Sequence, residues 1–145
     1  MKTLKTTILG LLMLVAFGAA NAKSIVYDDG TNNATVNYVV NTYVDAVSLG
    51  NYKVLGALLD DNLKYSVERG SKTLVFNKAQ LLESFKQDQG IKQDCQVSTS
   101  VNDSTPDVTI VKVELKYAEF TRTNYVTMVN SAKGWKITNI YSSFK

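Results

Sequence analysis

The sequence predicts an α+β fold, with three helices in its first part packed on an antiparallel sheet formed mainly by the rest. Apolar residues recur at helical spacing between about residues 34 and 59, whereas two-residue alternation with turn signals dominates after residue 90. No internal repeat, low-complexity tract or linker interrupts the 145 residues, which fits one domain able to bury its own core.

The chain opens with a segment of a different kind. Lys2 and Lys5 precede the uncharged apolar run Ile8 to Ala20, and Ala20-Asn21-Ala22 places small residues before Lys23. Basic, apolar and small-residue parts in that order define a secretory signal peptide. The expectation is cleavage between Ala22 and Lys23 and a periplasmic or secreted domain spanning residues 23–145. A membrane anchor is the competing reading, but crossing a bilayer takes roughly 20 apolar residues and this run is shorter.

The elements follow in order. Asn32 or Asn33 is placed to cap a first helix from about Ala34 to Leu49, with Val36, Val39, Val40, Tyr43, Val44 and Val47 on one face and Gly50 as its stop. A second, shorter helix starts at Asn51, with Tyr52, Leu55, Leu58 and Leu59 as its apolar side and Asp60-Asp61 as its end. Leu63, Tyr65 and Val67 alternate with Lys64, Ser66 and Glu68 as a half-buried strand, and Thr73 to Phe76 returns after Gly70-Ser71. Asn77 and Gln80 are spaced for a capping box at the start of a third helix that Gly90 closes. Strands are then expected at Ile91 to Val101, Val108 to Phe120, Thr121 to Asn130 and Trp135 to Phe144, with turns at Asn102 to Asp107 and Asn130 to Gly134.

Composition removes several function classes. Histidine is absent, which excludes histidine triads, histidine metal ligands and imidazole acid–base chemistry. No Asp/Glu/Cys cluster has metal-ligand spacing and no glycine-rich phosphate loop occurs, so no metal or cofactor is expected. The chain carries 16 Lys+Arg and 13 Asp+Glu; segment 1–22 contains Lys2 and Lys5 and no acid, which leaves 14 against 13. Without a basic run in residues 23–145, nothing points to nucleic acid, and nothing points to a membrane once the signal is removed. Cys95 is the single cysteine; it alternates with Val97, Thr99 and Val101 on one strand face and reads either as a small buried hydrophobe or as half of an intermolecular disulfide.

The order of parts then carries a resemblance. Leu49-Gly50-Asn51-Tyr52 closes a long helix, Leu59-Asp60-Asp61-Asn62-Leu63 follows a short one, and a meander ends in Gly134-Trp135-Lys136-Ile137. This resembles the nuclear transport factor 2-like superfamily. The ending Asn124-Tyr125-Val126-Thr127-Met128-Val129 with Lys133-Gly134-Trp135-Lys136-Ile137-Thr138-Asn139 is similar to that of its exported bacterial lumazine-binding-like group. The resemblance implies a cone: a strongly curved sheet wrapped against the helices, enclosing a pocket, with dimers formed through the sheet's outer face. It also implies where enzymes of the superfamily keep a catalytic Asp or His, near Ser66 here, with Glu68 two residues on; the group's Asp before the tail tyrosine is Asn124.

A cone of this kind has a concave, mostly apolar interior, so polar residues among its inward positions are candidate ligand contacts. Alternation nominates Tyr43 on the first helix, Tyr65, Arg122 and Asn124 with Val126 and Met128, and Asn139 with Trp135 and Ile137. Each has a structural alternative: core aromatics for the tyrosines, a satisfied amide for Asn139, an edge charge for Arg122. An inward Arg122 needs an acid such as Glu119, or an anionic ligand, to offset its burial. The expected function is a non-catalytic exported domain that binds a small organic ligand, dimerises, or both. The alternatives are an isomerase- or cyclase-like enzyme with Glu68 as base and Tyr43 or Tyr65 as hydrogen-bond donor, and a pure interaction module with a filled interior.

Overall fold

A computed structural model describes residues 34–145; the expected signal peptide, 1–22, and the candidate caps Asn32 and Asn33 lie outside the described residues. Thr35 takes the capping role for the first helix, α1 (Val36–Leu49): its backbone is extended and its hydroxyl accepts from the Tyr38 amide at 3.3 Å. The helix is rich in β-branched residues, so its stability comes from burying Val39, Tyr43, Ala46 and Val47 rather than from propensity. It ends on Gly50, whose φ of 67° is the left-handed conformation that closes a helix.

The second helix is shorter than its apolar spacing implies. Only Leu55–Leu58 (α2) is helical, and Leu59 already begins β1 (Leu59–Arg69), where it opposes Ile137. Burial of Leu55, Leu58, Leu59 and Leu63 is satisfied as well by a single turn running into a strand as by a longer helix. Strand β2 (Lys72–Phe76) returns beside β1, and α3 (Lys78–Gln87) follows. Its capping box is complete: Asn77 accepts from the Gln80 amide at 2.9 Å and Gln80 accepts from the Asn77 amide at 2.9 Å. Asn77→Ala is expected to cost about 1 kcal/mol and Asn77→Gly only a few tenths, by urea unfolding; equal losses would show that the cap does not hold the helix.

Four strands complete the sheet: β3 (Gln96–Ser104), β4 (Val108–Lys116), β5 (Thr121–Ser131) and β6 (Gly134–Phe144). Strand β3 starts later than expected and runs past Asn102, because Thr105 closes a tight turn onto Val108 through its amide and hydroxyl. The six strands lie in the order β2-β1-β6-β5-β4-β3 and form one curved sheet. The third helix lies between β2 and β3, as its place in the sequence implies. One expectation is corrected: β1 pairs with β6 in parallel, so the sheet is not wholly antiparallel.

Helix α1 lies over β4 and β6, and α3 over β1. Between them and the sheet sit Leu63, Val111, Val113, Leu115, Val126, Met128, Ile137 and Ile140. The helices do not reach β3, all of whose residues are exposed. In β6 the alternation breaks: Met128 opposes Ile137 and Thr127 opposes Asn139, which leaves Thr138 as an extra residue. Ile137 and Ile140 consequently both face the helices although they are three apart.

Candidate ligand site

Under α1, one polar cluster interrupts the apolar interior. Asn124 follows the inward parity of Val126 and Met128, is 0% exposed, and stands between Val113 on β4 and Ser142 on β6. Its Oδ1 accepts from the Ser142 hydroxyl and from Arg122 Nε at 3.1 Å. Arg122 Nη2 also donates to the Tyr65 hydroxyl at 3.2 Å, and the guanidinium lies 6.0 Å from the centre of the Phe144 ring. Because two donors converge on one side of the Asn124 amide, that side is its oxygen. Its Nδ2 is then a buried donor with no acceptor among the described residues.

The electrostatics of the cluster are one-sided. Among the described residues no carboxylate comes within ion-pair distance of Arg122, and exposed Glu119 does not pair with it. Tyr43 is 1% exposed and its titration feels both Arg122 and Tyr65. Burial pushes its phenol far above the ordinary tyrosine range, while Arg122 pulls it partly back and Tyr65 adds to the rise. It is a neutral hydroxyl at any physiological pH.

The structure thus brings Tyr43, Tyr65, Arg122 and Asn124 together, and adds Ser142. It does not bring Asn139 or Glu68 to them. Asn139 is corrected to the open face of the sheet, opposite Thr127, because the extra Thr138 reverses the parity counted from Trp135. The same reversal hid Ser142, which simple alternation places outside. Glu68 and Ser66 lie on the open face as well, next to Tyr141, whose hydroxyl donates to Glu68 Oε1. That bond, with a smaller contribution from burial, holds the Tyr141 phenol above its ordinary range. A base at Glu68 therefore stands on the other side of the sheet from Tyr43 and Tyr65. Cys95 is half-buried against the core edge beside Tyr117, whose phenol is raised by burial first and by Cys95 second.

The interior holds little free space near the cluster. A cleft of about 60 Å³ opens at Arg122, lined also by Ala46, Val47, Gly50, Phe85, Asp88, Ile91 and Gln93. Around it Tyr43, Leu115, Met128 and Ile137 fill the core, each 1% exposed or less. A larger, open cleft of about 430 Å³ lies at the other end of the sheet among Asp60, Asp61, Lys78, Lys133 and Lys136. There Lys78 donates to Asp61 at 2.9 Å and to the Leu59 carbonyl at 3.0 Å, and this pairing lowers the Asp61 pKa. Among the described residues no three His, Cys, Asp or Glu side chains are grouped to hold a metal, and no helix is long and apolar enough to cross a membrane.

A curved six-stranded sheet with helices on one face is the fold of nuclear transport factor 2-like proteins. Solved structures of that class are similar to it. One is a nuclear transport factor 2-like protein of unknown function from Silicibacter pomeroyi, 16% identical, covering 75% of this chain and 92% of its own, with a TM-score of 0.63. A second, from Pectobacterium atrosepticum, is a DUF3225-family protein of unknown function, 16% identical over 76% of this chain and 88% of its own, at 0.60. A third, from Parabacteroides distasonis, is described as a putative ketosteroid isomerase and is 14% identical over 74% and 86%, at 0.55. At these identities the likeness establishes the fold. The chain belongs to the family described as "Putative lumazine-binding", whose model matches residues 31–142. No curated protein matches.

Proposed function

We propose that this protein is an exported, non-catalytic domain that binds a small organic ligand at the Arg122–Asn124 cluster and pairs with a second copy through the open face of its sheet. The observation that carries the reading is a fully buried Asn124 donor that has no acceptor among the described residues, beside an Arg122 with no carboxylate partner among them. Leaving such a group unmade costs about 1–3 kcal/mol, so a fold that retains it is one that gains from filling it. Family membership supports ligand binding of this general kind. Export rests on the segment 1–22, and pairing on an open face where Tyr125, Thr127, Asn139 and Tyr141 are only half-exposed around the Lys112–Glu114 ion pair.

The enzyme reading is favoured by the likeness to the Parabacteroides protein. It has less support from the geometry, because Glu68 shares no face with the cluster. A thermal-shift screen of flavins, pterins, lipids, steroids and small organic acids tests the binder. A saturable rise in Tm from one class is expected, since a ligand held by the native state raises apparent stability. A flat response to every class overturns the reading in favour of an interaction module. Intact-mass analysis of the secreted chain should find Lys23 at the N-terminus, and light scattering should find two copies per particle. A chain that still begins at Met1, or a clean monomer, removes the corresponding part.

A further inference from the structure

We infer that the ligand enters carboxylate first: the Arg122–Asn124 cluster is the seat for the head group of a small monocarboxylic acid with a short apolar tail. This rests on the binding reading above and gives it a substrate class. The argument is a count of donors and acceptors. Asn124 Oδ1 already accepts twice, from Ser142 and Arg122, and the Tyr65 oxygen accepts from Arg122. What remains unspent is donors: Asn124 Nδ2, the remaining guanidinium N–H groups and the Tyr65 hydroxyl hydrogen. Tyr43, kept neutral by burial, adds a further O–H to the same surroundings.

A site with surplus donors and a positive charge calls for an acceptor-only, anionic partner. A carboxylate meets Arg122 as a planar fork, the strongest geometry available to a guanidinium. The space agrees. The cleft holds about 60 Å³, too little for a fused ring system but enough for a compact head group, and Arg122 is the member of the cluster that lines it. Its walls, Ala46, Val47, Phe85 and Ile91, are apolar and suit an alkyl or phenyl tail directed outward. Asp88 is the one acidic residue lining the cleft, and it disfavours a second carboxylate on the same ligand.

Thermal-shift titration and calorimetry with butyrate and benzoate test the inference, with butyramide and benzamide as neutral isosteres, succinate as a dianion, and chloride at matched ionic strength. Butyrate or benzoate should raise Tm saturably by several degrees. The amides and chloride should not, and succinate should bind more weakly than butyrate. Arg122→Gln should weaken binding at least about tenfold, since it removes a charge-assisted fork. Asn124→Asp is the second variant. It is nearly isosteric, places a built-in carboxylate against Arg122 and Ser142, and should abolish binding while Tm without ligand stays equal or rises. Retained affinity in a folded Asn124→Asp protein overturns the inference, as does equal binding of amide and acid. If pterins or steroids bind and acids do not, the carboxylate seat falls while the binding reading stands; if nothing binds, both fall.

Discussion

Gly50→Ala is expected to destabilise the domain by about 3–5 kcal/mol, the range reached when a special backbone conformation and a steric clash are lost together. A Cβ at this position would lie 2.3 Å from the Asp88 carbonyl oxygen, 2.6 Å from the Gly90 nitrogen and 2.8 Å from the Ile91 nitrogen. These are backbone atoms, which cannot swing aside like the end of a side chain. The φ of 67° adds the usual cost of a left-handed alanine, about 1 kcal/mol. The position is tight because the end of α1 meets the segment that follows α3: Gly90 N donates to the Gly50 carbonyl at 3.1 Å and Gln93 N to that of Ser48 at 2.7 Å. Gly70→Ala is the control. Its φ is 60°, but nothing lies within 4 Å of the added Cβ, so only the conformational cost of about 1 kcal/mol applies. Urea unfolding of both variants checks the difference, and equal losses would show that contact at Gly50 is unimportant.

Leu115→Ala is expected to cost about 2–5 kcal/mol and to change what the interior accepts. Leu115 is fully buried on β4 and opposes Arg122 across the β4–β5 ladder. Removing its isobutyl end leaves a void next to the guanidinium, and the packed walls collapse only partly into it. The variant should therefore bind acids with bulkier tails than the wild-type protein does, for instance naphthoate over benzoate. Leu115→Met preserves volume and should cost under about 1.5 kcal/mol with no change in preference. Unfolding curves give the first part and thermal-shift titration the second. A destabilised Leu115→Ala protein with unaltered preference would place the ligand elsewhere.

Much of this architecture is legible in the residues because local patterns and tertiary needs agree. The face Val39, Tyr43, Val47, the stop at Gly50, the Asn77–Gln80 box and the alternation of Val111, Val113 and Leu115 each have one low-energy reading. Arg122 and Asn124 were recoverable for the same reason, since no irregularity separates them from Val126 and Met128. The failures share a cause too. Leu55 to Leu59 satisfy helix and strand spacing alike, and pairing with Ile137 decides between them. The extra Thr138 is settled by the fit of β6 against β5, which no local signal in Thr138-Asn139 announces. One uncounted residue therefore moved Asn139 out of the site and Ser142 into it. The parallel partner of β1 was equally hidden, because alternation specifies a face and not a neighbour.

The place of β6 has a consequence in time. It is the last strand along the chain, yet it stands third in a sheet of six and is the only link between the β2–β1 hairpin and the β5–β4–β3 meander. Until residues 134–144 are available, the two halves share no strand pairing and the inner face around Asn124 lacks its Ser142 wall. Pairings this distant in sequence form slowly, so a nascent chain remains unassembled until nearly all of it has emerged. Under the export proposed above, such a delay keeps the polypeptide threadable, since its keystone strand is the last to arrive.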